Sequence, residues 1–332
     1  MSPDGRNEVA RSERVLPDVW RLRLPCPWPG VPHVNAWAIS RGDGVVLFDT
    51  GVGGEDGLHQ LELALGQAQL KLRDVRLLVC THSHSDHYGC AGSIVDAAGC
   101  ELWMHPAWEH MRAMAEDPDK ALERRIEVAR QSGVPAAALA RYEQRRGEPS
   151  LVDRVAAPDR DLVDGVEVAT DLGFFRTYET PGHAPSHVVL HEPESGMLVS
   201  GDHLLGRISL FFDHGHTPDP AGEFLASLAV VEELDVRLCL PGHGRTFRDV
   251  GAKIDANREL FGEQLDRVRG SLGGGQRTAF DTVPDLLGVD ELTPVAATWG
   301  LQLALAYLDH LRALGEAEPV SGTDPVAWRL AG

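Results

Sequence analysis

Cys80-Thr81-His82-Ser83-His84-Ser85-Asp86-His87-Tyr88-Gly89 is the stretch on which the reading of this chain turns. The six residues 75–80, Val-Arg-Leu-Leu-Val-Cys, form a short apolar run of the kind that makes a buried strand. At an extended strand end residues two apart face the same side, so His82 and His84 can hold one ion while Asp86 and His87, past the bend, turn toward a second. A histidine-rich surface loop is the plainer alternative. Solvated loops, however, rarely carry four metal-ligating groups within six residues, as 82–87 does.

Three more residues stand just past an apolar strand and beside glycine: His183 in Thr180-Pro181-Gly182-His183, Asp202 in Ser200-Gly201-Asp202-His203, and His243 in Pro241-Gly242-His243-Gly244. A preceding glycine lets the backbone turn sharply, so that the side chain points into a cleft at the strand ends. Singly, each could be a turn residue. With the first four they make seven ligands, enough for two metal ions. Imidazole and carboxylate suit Zn2+ best, and iron and manganese accept the same donors; two zinc ions are expected.

Residues 15–50 hold three β-rich runs, at 19–24, 33–39 and 45–48, separated by Pro/Gly turns, which predicts a strand meander. Leu58, Leu61, Leu65 and Ala68 predict a helix over 55–69, followed by strands at 75–80 and 101–105 with a short helix between them. Residues 106–147 are helical in pattern, rich in arginine and broken at Pro118 and Gly133-Val134-Pro135; they read as an inserted cap. Strands are predicted again at 166–169, 174–179, 187–191, 197–200 and 236–240, with a helix over 221–234 before the last. A helix over 249–270 runs into Gly273-Gly274-Gly275, a breaker that marks a domain boundary. The organisation expected is a catalytic domain over 1–270 and a small domain over 271–332, with its last helix at 294–314 and a hairpin turning at Ser321-Gly322-Thr323-Asp324.

Of the 332 residues, 43% are hydrophobic and 24% charged, enough apolar material for a sizeable core, which excludes disordered, collagen-like and disulfide-stapled classes. Thirty-one basic residues against 50 acidic ones leave −19, which opposes a phosphate backbone, so nucleic acid is not an expected partner. The five cysteines, Cys26, Cys80, Cys90, Cys100 and Cys239, are odd in number and lack CxxC spacing, and read as reduced thiols. A polar amino terminus and the absence of any long uncharged apolar run predict neither a signal peptide nor a membrane partner, and a cytoplasmic setting.

On these residues the chain resembles the metallo-β-lactamase-fold hydrolase superfamily. The H-x-H-x-D-H pattern at 82–87 and the three later positions match in residue type and order, over about residues 15–260. The tail resembles a small winged-helix-like domain that follows the core in one hydrolase subgroup. The resemblance implies an α/β fold, an αββα sandwich with a two-metal site on the edge of two sheets. It implies that His82, His84 and His183 bind the first metal and Asp86, His87 and His243 the second, with Asp202 bridging, and that Asp86 and Asp202 serve catalysis. Asp49, in Leu47-Phe48-Asp49-Thr50-Gly51, corresponds to a carboxylate behind the ligands, and His187 matches a common family position. Two such metals lower the pKa of a shared water from about 15.7 toward about 7, and the resulting hydroxide attacks a carbonyl.

Departures narrow the branch. The main zinc β-lactamases carry cysteine where Asp202 stands, which points to the glyoxalase II-like branch. Homoserine-lactone lactonases carry tyrosine three residues after the bridging aspartate, where this chain has Leu205, and flavodiiron reductases have glutamate in place of His84. The expected activity is hydrolysis of a small ester-like molecule, a thioester such as an acyl-CoA first, with lactone or carboxylic ester hydrolysis and metal-dependent RNA cleavage as alternatives. The tail carries three arginines against eight acidic residues, a charge that would not hold phosphates; it is expected to pack on the core, shape the site's rim or make a homodimer contact. Six arginines within 121–146 (Arg124, Arg125, Arg130, Arg141, Arg145, Arg146), against Glu123, Glu127 and Glu143, suggest that the cap reads an anionic handle on the substrate.

Overall fold

The computed structural model describes residues 9–332 apart from positions 55 and 149, so the polar segment 1–8 and the first residue of the helix predicted over 55–69 lie outside the described residues. Strands β1 (Arg11–Leu16), β2 (Val19–Trp28), β3 (Val31–Arg41) and β4 (Gly44–Phe48) form an antiparallel meander. The first of these has no counterpart in the hydrophobic pattern, because an edge strand has one neighbour and its polar Arg-Ser-Glu-Arg half faces solvent. Helix α1 (Gly57–Gln67) crosses to β5 (Val75–Val79), and after the short α2 (Ser85–Tyr88) and α3 (Ala91–Ala98) the chain enters β6 (Glu101–Met104); both new pairings are parallel. The insertion holds α4 (Glu109–Glu116), α5 (Pro118–Gln131) and α6 (Ala136–Glu143), broken where the prolines require. β7 (Arg160–Asp161) completes a seven-stranded sheet in chain order.

The second sheet contains β8 (Glu167–Thr170), β9 (Gly173–Glu179), β10 (Val188–Glu192), β11 (Met197–Gly201) and, after α7 (Pro220–Glu232), β12 (Leu238–Pro241), in the order β12-β11-β10-β9-β8. Alternation along the strands explains the layers. On β4, Val45 and Leu47 face outward and share a core with Leu61 and Leu65 of α1 and Ile94 of α3. Val46 and Phe48 face inward and share a core with Val188, Leu190 and Phe175 of the other sheet. Val189, Leu198 and Cys239 point to the far side, where they meet α7 and α8 (Val250–Leu272). Helix, sheet, sheet, helix is the αββα sandwich that the resemblance implied.

The tail continues the third of these cores. After the turn at 273–276 come β13 (Arg277–Thr278), α9 (Ala279–Leu287), α10 (Pro294–Ala313) and the hairpin β14 (Ala317–Pro319) with β15 (Ala327–Leu330), in a three-stranded sheet ordered β13-β15-β14. Thr293 caps α10, its hydroxyl accepting from Ala296 N, and Pro294 occupies the first turn, where no backbone N–H is needed. Leu301, Ala304, Tyr307 and Leu308 of α10 lie in the same buried cluster as Leu228 of α7 and Val189 of the second sheet. Apolar packing thus runs on across Gly273-Gly274-Gly275. Cys80, Cys90, Cys100 and Cys239 form no disulfide among the described residues, and no helix among them is long and apolar enough to cross a membrane.

Phe212, between β11 and α7, is fully buried, its ring 5.3 Å from Phe224, 6.1 Å from Phe261 and 5.6 Å from Tyr307. One side chain therefore joins α7, α8 and α10. Phe212→Ala should destabilise the protein by about 3–5 kcal/mol, read as a lower urea midpoint; an unchanged midpoint would show that this junction does not hold the tail in place.

Candidate metal centre

Strands β4, β5, β11 and β12 all end at one edge of the sandwich, and the seven candidate ligands collect there. His82 and His84 follow β5, Asp86 and His87 ride on α2, His183 lies in the turn between β9 and β10, Asp202 follows β11, and His243 follows β12. Hydrogen bonds join the two sheets at this edge. Val188 N donates to Thr81 O (2.8 Å), Asn35 N to Gly242 O (2.7 Å) and Trp37 Nε1 to Pro241 O (3.2 Å).

His84 Nδ1 lies 3.1 Å from His82 Nε2 and 3.0 Å from His183 Nε2, so three imidazoles converge on one point. On the other side Asp86 Oδ2 is 3.2 Å from His243 Nε2 and 3.6 Å from His87 Nε2. Asp202 stands between, with Oδ1 3.4 Å from His87 Nε2 and Oδ2 3.2 Å from His243 Nε2 and 3.7 Å from His183 Nε2. Three triads, His82/His84/His183, His82/His87/Asp202 and Asp86/His87/His243, each bring their ligand atoms within 4.8 Å of one another. The first and last coincide with the two sets that the resemblance implied.

Each of the five imidazoles is held by its other nitrogen. His82 Nδ1 meets Thr81 Oγ1 (3.1 Å), His84 Nε2 meets Asp213 Oδ2 (3.4 Å), His87 Nδ1 meets Asp49 Oδ2 (2.8 Å), His183 Nδ1 meets Phe211 O (3.2 Å) and His243 Nδ1 meets His33 O (2.7 Å). With N–H on these outer atoms, the inner nitrogen of every ring is left as a lone pair, the tautomer a metal ligand needs. Asp49 does more than orient His87. Its carboxylate also accepts from Thr81 N (2.7 Å) and Thr81 Oγ1 (3.0 Å), and so fixes the start of the ligand loop. His187 likewise takes a positioning place, with Nδ1 2.9 Å from Thr180 Oγ1 and Nε2 accepting from Asp202 N at 3.1 Å.

Glycine is required beside Asp202 for two different reasons. Gly201 has φ +48°, and a Cβ there would meet His187 Nε2 at 2.6 Å. Gly242 has no left-handed backbone; a side chain on it would collide with the Asp202 carboxylate and the His87 ring.

Electrostatics divide the centre in two. Burial, reinforced by neighbouring imidazoles, pushes His82 well down and His183 down to about 4, so both are neutral and ready to donate lone pairs. Burial also opposes charge on His87 and His243, but Asp86 and Asp202 outweigh it, and His243 is pushed up to about 10. Asp202 in turn is held well below the usual carboxylate range, burial being overridden by His243 and His87. His87 Nε2 and Asp202 Oδ1 are buried and face each other with no hydrogen-bond partner among the described residues. A cation between them would satisfy both. Five imidazoles with two carboxylates fit a borderline-soft ion such as Zn2+ better than Mg2+ or Ca2+, which favour oxygen.

A family model described as the metallo-beta-lactamase superfamily matches residues 29–243, which contain all seven residues. The chain belongs to this superfamily. Among its relatives, the probable metallo-hydrolase YqjP of Bacillus subtilis is 25% identical over 281 residues, 81% of this chain and 85% of that one. The solved structure of a beta-lactamase domain protein from Burkholderia ambifaria is 27% identical, with a TM-score of 0.83 over 99% of this chain and 97% of that one. A more distant relative, the atrochrysone carboxyl ACP thioesterase of Aspergillus fumigatus, is 22% identical over 70% of this chain, which spans 43% of that protein's length. The relatives of this chain thus include a probable metallo-hydrolase and a thioesterase.

Sequence reasoning passed over Asp213, His110 and Phe211. Asp213 Oδ2 lies 3.5 Å from His110 Nε2 and 3.8 Å from His216 Nε2 besides its contact with His84. His214 and His216 stand beside Asp213 in the sequence, but nothing in one dimension ties this loop to His84. His214 turns away to pair with Asp309 of α10 (2.9 Å), and His203 packs on Phe224 in the core. In the cap, Arg130 pairs with Glu127 and Asp324, Arg145 with Glu148, and Arg146 with Glu143 and Glu123, so half of the arginine cluster is engaged in surface ion pairs.

Protein grown with zinc should hold less metal in His84→Ala than in the parent, and Asp49→Asn should bind metal about 10–100-fold more weakly. Elemental analysis and chelator competition read both. Full occupancy in His84→Ala would remove that residue from the ligand set.

Proposed function

We propose that this metallo-hydrolase carries two zinc ions and cleaves a small ester-like substrate, an acyl thioester such as an acyl-CoA first. The observation that carries the reading is the place of Asp202, which offers its two oxygens to imidazoles of both ligand groups. His82, His84 and His183 would hold one ion, Asp86, His87 and His243 the other, and Asp202 would bridge them. Zinc bound there supplies Lewis acidity and a water that is nucleophilic at neutral pH.

The chain's own groups then do three things. Asp49, Asp213, Thr81 and the carbonyls of Phe211 and His33 keep the imidazoles in one tautomer and orientation. The Asp86 oxygen not used as a ligand would accept a hydrogen bond from the attacking water and hold it toward a carbonyl, beside the bridging carboxylate of Asp202. The outer walls, Phe211 among them, keep bulk water from the carbonyl. The kinship with a thioesterase supports a thioester over an oxygen ester, and an aspartate rather than a cysteine at 202 supports the glyoxalase II-like branch over β-lactam hydrolysis.

The same proposal assigns a cytoplasmic setting, from the thiols of Cys80, Cys90, Cys100 and Cys239, which form no disulfide among the described residues. It gives residues 271–332 the part of a winged-helix-like unit that shapes the rim and serves as a homodimer contact. Partners are a small molecule and a second copy of the chain, the charge of −19 opposing nucleic acid.

A panel of acyl thioesters, oxygen esters, lactones, β-lactams and single-stranded RNA tests the reading. Thioesters should show the highest kcat/KM, and Asp202→Asn should lower kcat by at least about 100-fold with little change in KM. Metal-dependent RNA cleavage at physiological salt, with thioesters untouched, would replace this reading by a nuclease.

A further inference from the structure

The ring of Phe211 stands 5.6 Å from His183 and 6.0 Å from His84, so it forms a wall of the metal centre. The next ring outward is Trp299, 5.8 Å from Phe211, and it comes from the first turns of α10 in the tail. Trp299 is 37% exposed, a large aromatic face open to solvent beside the site. Next to it in sequence, Thr298 Oγ1 lies 3.5 Å from Tyr142 Oη of the cap helix α6. Cap and tail therefore meet over the mouth of the site.

A charge is present at the same meeting point. Arg125 of α5 has no carboxylate within ion-pair distance among the described residues, unlike Arg130, Arg145 and Arg146. Its guanidinium contacts Met114 Sδ at 3.3 Å. Its side chain is exposed on the surface of α5, and Asp213 and Tyr142 act on its charge through space, which puts the guanidinium in electrostatic reach of the loop that orients His84. An exposed arginine short of a carboxylate is suited to a ligand's anion.

We propose that cap and tail jointly read the substrate: Phe211 and Trp299 take an apolar acyl chain leading away from the metal-held carbonyl, and Arg125 takes an anionic group, such as a phosphate, on the thiol side. The proposal rests on the acyl-hydrolase reading of the site. Two ring-to-ring steps, each close to 6 Å, separate the ligands from Trp299. An acetyl group ends at Phe211, whereas a medium-length chain lies along Trp299 as well. Residues 271–332 thereby become part of the substrate site.

Product binding tests this without turnover. The full-length protein, loaded with its metals, is titrated calorimetrically with acetate, hexanoate and decanoate, and with pantetheine and coenzyme A, in the parent, Trp299→Ala, Trp299→Phe and Arg125→Gln. Affinity should rise with chain length in the parent, and Trp299→Ala should weaken decanoate about 10-fold while leaving acetate within about 2-fold, since each buried methylene adds apolar contact. Trp299→Phe should recover much of the loss. Coenzyme A should bind more tightly than pantetheine, and Arg125→Gln should erase that difference. Chain-length-independent affinity, or equal loss of acetate and decanoate in Trp299→Ala, overturns the apolar wall. Equal affinity for coenzyme A and pantetheine in the parent, or a difference that persists in Arg125→Gln, overturns the anion role. Failure of the acyl-hydrolase reading is seen separately, as no turnover of any ester or thioester while decanoate binding still depends on Trp299.

Discussion

Everything at the working edge of this protein depends on hydrogen bonds to Asp49. A carboxylate that is 1% exposed is costly to bury unless its oxygens are satisfied. Here Thr81 N, Thr81 Oγ1 and His87 Nδ1 all meet it. These three contacts fix the path of the chain between β5 and α2, and with it the directions of His82, His84, Asp86 and His87. The same residue adopts φ +64°, a conformation that aspartate tolerates better than most side chains, so backbone and carboxylate constrain the loop together.

The second support is the seam between the sheets. His183, Asp202 and His243 belong to one sheet and the 82–87 loop to the other, so the ligand groups keep their spacing only if the sheets cannot slide. Backbone bonds from Val188 to Thr81 and from Asn35 to Gly242 pin them at the height of the metal centre. The buried inter-sheet layer, with Phe48 against Phe175, supplies bulk cohesion but no such registry. Rigid placement matters because a metal site tolerates displacements of only a few tenths of an ångström.

The insertion and the tail act on the opposite flank. α10 shares a core with α7 and the second sheet, and the loop 205–219 that it supports carries Phe211 and Asp213 to the ligands. His214 with Asp309, and His310 with Asp219, tie the middle and the far end of that loop to the tail. The family's common scaffold thus supplies the candidate ligands, while the insertion within residues 29–243 and the tail beyond them border the same edge.

The seven ligand candidates and the αββα sandwich were legible in the sequence. Strand alternation is a local rule, and His82, His84, Asp86 and His87 lie within six residues whose facing follows from strand geometry. Even the distant His183, Asp202 and His243 are marked locally, each by a glycine at a strand end. Asp213, His110, Phe211 and Trp299 carry no such mark. Their roles arise from contacts between segments distant in sequence, such as His84 with Asp213, 129 residues apart. An ordinary acidic, imidazole or aromatic side chain becomes part of a site only through what packs against it. The edge strand β1 escaped for a related reason: a strand with one neighbour can be polar, so its sequence lacks the alternation that betrays buried strands. Of the cap's ion pairs, Arg130 with Glu127, Arg145 with Glu148 and Arg146 with Glu143 follow from helical spacing in the sequence, whereas tertiary structure alone decided that Arg130 also meets Asp324 and Arg146 also meets Glu123, because those pairings depend on where distant segments come to rest.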